Sequence, residues 1–229
     1  MLEKYTYLLV DFFCIIIPLV CSFHPKINFH IQWKYLFIPC LTTTLIFLVW
    51  DALFTRAGIW SFNPKYVSGF YCFGLPVEEY LFFVCIPYPC MFTYYCINKF
   101  TRLSLPRAAV YFISFTLVAV LSFIGFTHLP QLYTSITFLS LATILMIVIL
   151  SNHHILSTFY ITCLLILVPF FISNGILTGS FLNRPTVLYN NDYNLGLRML
   201  TIPVEDLFYA MLLLLMNISG FEYLKSRSS

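Results

Sequence analysis

Leu75-Pro76-Val77-Glu78-Glu79-Tyr80-Leu81-Phe82-Phe83 returns near the C-terminus as Ile202-Pro203-Val204-Glu205-Asp206-Leu207-Phe208-Tyr209-Ala210. Each copy opens a long apolar run with a proline and then two adjacent acids. The likeness extends upstream. Tyr66-Val67-Ser68-Gly69 aligns with Tyr193-Asn194-Leu195-Gly196, Trp50-Asp51 with Ser173-Asn174, and Phe62-Asn63-Pro64 with Asn183-Arg184-Pro185. The chain is therefore expected to contain an internal repeat.

Around these copies the sequence reads as membrane-embedded. It has 229 residues, 60% hydrophobic and 9% charged, with a mean hydropathy of +0.88. Soluble domains carry roughly a quarter charged residues. Apolar runs long enough to cross a bilayer fall at residues 5–23, 35–54, 75–97, 108–126, 132–150, 155–177 and 199–219. Asp11 interrupts the first run, which lacks a basic leader and a small-residue cleavage site, so it is expected to stay as a helix. Pro18, Pro39, Pro87, Pro89 and Pro169 fall inside spans, where neighbouring helices can re-satisfy the freed carbonyls.

The expected fold is all-α: one membrane domain, 1–229, made of a bundle of seven transmembrane helices. Residues 1–100 form the first repeat, 101–131 a connector helix and 132–229 the second repeat. The acidic motifs sit on spans three and seven. An even offset makes the repeats parallel, helices 1–3 and 5–7, joined by helix 4. Such repeats place the working site at their mutual interface.

Seven spans put the termini on opposite sides. Lys26, Lys34, Lys99, Arg102, Arg107, Lys225 and Arg227 on one side outnumber Lys4, Arg56, Lys65, Arg184 and Arg198 on the other. The positive-inside rule then favours a cytoplasmic C-terminus in a multi-pass protein of the cell (inner) membrane. The net charge of +3 is scattered over short loops and forms no nucleic-acid footprint. The eight cysteines form no CxxC pair and have no His at ligand spacing, so no metal is expected. The adjacent pair His153-His154 diverges too far to ligate one ion. No GxGxxG fingerprint for a nucleotide cofactor is present.

A proline and acids at the start of one helix are explained by local helix chemistry. Two copies at repeat-related positions, both at the edge of hydrocarbon, point to function. Asp51 and Asn174 close helices 2 and 6 on that same side. Asp51, Glu78, Glu79, Asn174, Glu205 and Asp206 can therefore converge at one end of the bundle. Consecutive helical residues diverge by about 100°. One pair of acids is thus expected to meet at the repeat interface, while the other binds loop partners such as Arg56 or Arg198. Carboxyls crowded at low dielectric cannot all ionise, so one at least stays protonated and serves as a Brønsted acid. Trp50, Trp60, Phe62, Tyr66, Phe70, Tyr71, Phe73, Tyr80, Phe82, Phe208 and Tyr209 lie near it in sequence. Ring faces stabilise cations, so acid plus rings suits carbocation chemistry on a hydrocarbon.

At these residues the sequence resembles the lycopene cyclase domain family, the small membrane cyclases of bacteria, archaea and fungi. The resemblance rests on Trp50-Asp51, Gly58-Ile59-Trp60-Ser61-Phe62, Tyr66–Gly69 and both Pro-Val-acid segments, and covers nearly the full length. Some members make the repeats as two pairing polypeptides; this chain looks like the fused form. The resemblance implies a catalytic role for Glu78, Glu79, Glu205 and Asp206. The second copy departs from the first: Asn174 replaces Asp51, the Trp60 equivalent is not aromatic, and Asp206 replaces Glu79.

The expected activity is proton-initiated cyclisation of the ψ ends of lycopene, or a related acyclic carotenoid, to β-ionone rings. The products would be γ- and β-carotene, and the enzyme an intramolecular lyase or isomerase. Stoichiometry requires no cofactor, because the reaction has no net redox change. Glu78 or Glu205 is the first choice of acid, with Glu79, Asp206 and Asp51 as partner base or neighbours. Trp60, Phe62, Tyr66, Phe82, Asn174, Phe208 and Tyr209 are the expected substrate contacts, with membrane lipid as surroundings. The alternative is a proton-coupled membrane transporter, which would line several spans with polar residues; helices 4 and 5 have few. A retinal receptor lacks its helix-7 lysine, and a magnesium-dependent prenyltransferase lacks a DxxxD pair.

Overall fold

The computed structural model describes residues 2–228. Among the described residues, seven helical segments are long and apolar enough to cross a membrane. They are α1 (Thr6–Cys21), α2 (Trp33–Arg56), α3 (Val77–Cys85) with α4 (Pro87–Phe100), α5 (Arg107–Thr127), α6 (Leu132–Asn152), α7 (His154–Leu177) and α8 (Val204–Ser226). The third span is broken at Ile86. Pro87 there has no N–H to give to the preceding turn, so the ladder restarts as α4. Large apolar side chains such as Phe13, Phe112, Phe123 and Leu150 point outward and are exposed, as lipid-facing positions should be.

Helix α8 is the centre of the bundle. It packs against α2, α4, α6 and α7, and Leu212, Leu213, Leu214 and Leu215 are all buried in succession. A helix apolar all round belongs in such a surrounded place. Gly220 lets α2 come close, since a Cβ there would lie 2.7 Å from Pro39 Cβ. The two repeats interlock: α2 of the first packs on α8 of the second, and α7 of the second packs on α4 of the first.

Short extended segments outside the spans complete the repeat. β1 (Trp60–Phe62) pairs antiparallel with β4 (Val187–Tyr189), placing Trp60 opposite Tyr189 and Phe62 opposite Val187. β2 (Tyr71–Cys72) pairs with β3 (Leu75–Pro76), and β5 (Arg198–Met199) with β6 (Ile202–Pro203). Phe73 and Gly74 both take positive φ, as a tight type I′ turn needs. Because β5 and β6 use residues 198–203, the seventh helix begins at Val204, later than the apolar run at 199 predicts.

The backbone bonds fix the true repeat register. Asn63 N–H donates to Thr186 O and Asn190 N–H to Ile59 O, and Tyr66 N–H and Tyr193 N–H return to Asn63 O and Asn190 O. Phe62-Asn63 therefore corresponds to Tyr189-Asn190. The alignment with Asn183-Arg184-Pro185 is out of register, because the second repeat carries a longer segment between its helix end and its strand.

Candidate active site

The acids sort by helical phase into two environments. Glu78 is fully buried and accepts Ser68 N–H through Oε1 at 2.6 Å. Its counterpart Glu205, also fully buried, accepts Leu195 N–H at 2.8 Å and the Thr134 hydroxyl at 2.6 Å. In both repeats the donor lies ten residues upstream, and the next residue, Gly69 or Gly196, turns the chain at positive φ. The first acid of each motif therefore ties the incoming loop to the helix start. Its partners are a backbone amide in each repeat and, in the second, the Thr134 hydroxyl; Arg198 instead donates to Thr201 O and Asn191 Oδ1.

The second acids face the repeat interface. Glu79 Oε2 accepts the Tyr7 hydroxyl at 2.6 Å, and the Glu79 and Asp51 carboxyls lie within hydrogen-bonding reach of each other. Carboxylates have only acceptors, so a bond between the two needs a proton on one of them. Asp51 Oδ2 is buried with no protein partner. In the other repeat Asp206 accepts three donors: Tyr133 hydroxyl at 2.5 Å, Asn174 Nδ2 at 2.8 Å and Tyr189 hydroxyl at 3.0 Å. Burial and the neighbouring Asp206 push the Tyr189 phenol well above its ordinary value, which keeps it a donor.

Asp51, Glu79 and Asp206 line one cavity of about 80 Å³. Trp60, Phe62, Val187 and Tyr189, all on the same face of the β1–β4 ribbon, cover it, while Ser61 and Leu188 face out. Phe82, Asn174 and Tyr209 complete its wall. The Tyr209 hydroxyl is buried and unpartnered. Trp60 and Tyr209 stand edge to face at 6.5 Å, and Tyr133 stacks on Tyr189 at 5.8 Å.

Of the residues expected from sequence, Asp51, Glu79, Asp206, Trp60, Phe62, Phe82, Asn174 and Tyr209 meet at this cavity. Glu78, Glu205, Tyr66 and Phe208 do not line it; Phe208 packs against Phe138 in the bundle core. Phe70 and Phe73 project outward from the β2–β3 hairpin. Sequence reading passed over the three phenols Tyr7, Tyr133 and Tyr189. The first two open the first helix of their repeats and donate to equivalent acids, so the repeat itself carried the signal. Asp11, buried one turn beyond Tyr7 with both oxygens unpartnered, was read only as an interruption of a span.

The family model described as lycopene cyclase matches residues 4–97 and 130–224, one segment for each repeat. The chain belongs to the lycopene cyclase family. No curated protein and no solved structure matches it. Membership makes the chain a multi-pass membrane enzyme of carotenoid cyclisation and displaces the transporter reading. It also makes a carotenoid the substrate of this lycopene cyclase family member.

Proposed function

We propose that the chain is an isomerase that closes the ψ end of lycopene into a β-ring by proton transfer alone. The observation that carries this reading is the adjacent Asp51–Glu79 carboxyl pair, which lines with Asp206 a single cavity walled by aromatic rings. Asp51, with its free Oδ2, delivers the shared proton to C2 of the terminal double bond, leaving a tertiary cation at C1. The C5=C6 bond attacks C1, forming the C1–C6 bond and moving the cation to C5. Loss of the C6 proton restores C5=C6 and completes the ring. One proton enters and one leaves, so atoms and electrons balance.

Asp206 suits the second half of this cycle. Three fixed donors orient it as an acceptor, placing an anion beside the cation and a base for the C6 proton. Trp60, Phe62 and Tyr209 present rings to the same cation, each worth about 2 kcal/mol when desolvated. The role of acid thus passes from Glu78 and Glu205, which hold loop amides, to the Asp51–Glu79 pair. Expression in a lycopene-accumulating bacterium followed by pigment chromatography tests the reading. Appearance of γ- or β-carotene supports it; unchanged lycopene at verified protein levels overturns it.

A further inference from the structure

The carboxylate cavity does not end at the acids. A second, apolar cavity of about 130 Å³ shares Ile86, Phe170, Ser173, Ala210 and Leu213 with it, so the two are consecutive. The second continues along α4 past Pro87, Pro89 and Cys90 to Thr93. From Glu79 to Thr93 the chain climbs about 20 Å at 1.5 Å per residue. That distance takes the crevice well into the hydrocarbon layer. Pro169 in α7 and the break at Ile86–Pro87 face it from two sides. Pro169 is exposed and Phe170, Ser173, Cys90 and Thr93 are only partly buried, so the crevice opens sideways toward lipid.

The pseudo-twofold explains why this continuation of the carboxylate cavity exists on one side only. Ser173 occupies the place of Trp50, and Ala210 the place of Phe83. In the first-repeat position the two large side chains fill the corresponding volume. Phe83 is fully buried, and Phe47 packs against Trp50, Phe83 and Tyr209 at 5.6, 5.9 and 4.9 Å. What remains there is an open groove of about 440 Å³ between α2, α6 and α8 that includes Ser140 and shares no lining residue with the carboxylate cavity. Ser140 holds the place in α6 that Cys14, which lines the crevice, holds in α1.

We infer that the enzyme has a single polyene-binding crevice between α1, α4, α7 and α8, opened by Ser173 and Ala210 and plugged in the mirror position by Trp50 and Phe83. It takes a linear, all-carbon conjugated chain entering from the bilayer, with the reactive end at Asp51–Glu79 and the rest running toward Thr93. The inference rests on the cyclase reading, because the occupant is that reaction's substrate. It goes further in assigning one site per chain, so each binding event closes one ring.

The test compares symmetry-related plugs. Ala210→Phe, Ser173→Trp and Cys14→Phe are expected to lower lycopene conversion at least tenfold, while Ser140→Phe in the mirror groove stays within twofold of the wild type. Purified variants are compared at matched amounts, with folding checked by size-exclusion elution in detergent. Using three plugs on three helices keeps the test decisive if one of them misfolds. Wild-type turnover in folded crevice variants overturns the crevice. Equal losses in Ser140→Phe and Cys14→Phe overturn the single site in favour of two. A wild-type protein that leaves lycopene unchanged fails the cyclase reading itself, a result distinct from either.

Discussion

Replacing Glu79 and Glu78 by Gln, one at a time, separates the acid from its neighbour. Glu79→Gln keeps the side-chain shape and can still accept from Tyr7, but it can no longer share a titratable proton with Asp51. General acid catalysis by a positioned group is worth about 10²–10⁴ in rate. Loss of its lower bound, a hundredfold, raises the barrier by about 2.7 kcal/mol. Glu78→Gln is a different perturbation. Its Oε1 still accepts Ser68 N–H, while its amide nitrogen takes the place of Oε2, which is buried with no partner. A buried donor without a partner costs about 1–3 kcal/mol, which is the expected loss of stability. Because the loop it anchors leads into the β2–β3 hairpin and α3, turnover should fall only severalfold. The assay is lycopene conversion by purified protein in detergent, with a thermal melt of each variant. A folded Glu78→Gln protein with no turnover, beside an active Glu79→Gln protein, would refute the division of roles and return the acid to Glu78.

Tyr133→Phe removes the 2.5 Å donor from Asp206 and leaves Tyr189 and Asn174. A fall in turnover of about tenfold or more is expected, from about 1.5–3 kcal/mol for a bond to a charged group; wild-type kinetics would remove Tyr133 from the site. Tyr66→Phe, at a ring outside the cavity, should stay within twofold in the same assay. Gly220→Ala drives a methyl to 2.7 Å from Pro39 Cβ, a rigid neighbour, so α2 and α8 must separate. A loss of about 1–3 kcal/mol is expected, and an unchanged melting midpoint in detergent would show that the helices are not in that contact.

The bundle was legible because a bilayer imposes a length and a hydropathy on each span, and the repeat because two nine-residue segments match. What the residues could not say is which acid of each pair turns inward. Adjacent helical positions differ by about 100°, and the answer depends on a loop folding back so that Ser68 and Leu195 meet the first acid. Tyr7, Tyr133 and Tyr189 were hidden for a related reason: tyrosine is common at membrane interfaces, and nothing local marks the three that face a carboxylate. The register slip at Phe62-Asn63-Pro64 has a physical source as well. Asn183-Arg184-Pro185 imitates a motif inside a longer loop, and only the β1–β4 pairing and its flanking bonds identify Tyr189-Asn190 as the equivalent. The asymmetry between Trp50 and Ser173 was visible as a mismatch; that it leaves a cavity open follows only from how Phe47, Phe83 and Tyr209 pack.

The central claim, ring closure begun by a proton from a carboxyl pair, is tested most directly by running the reaction in deuterium oxide. Purified protein is given lycopene, and the cyclised carotenes are examined by mass spectrometry and NMR. The account predicts one deuterium for each ring formed, located at C2, because the acid exchanges with solvent before each turnover. Rings formed without solvent deuterium at C2 would contradict it.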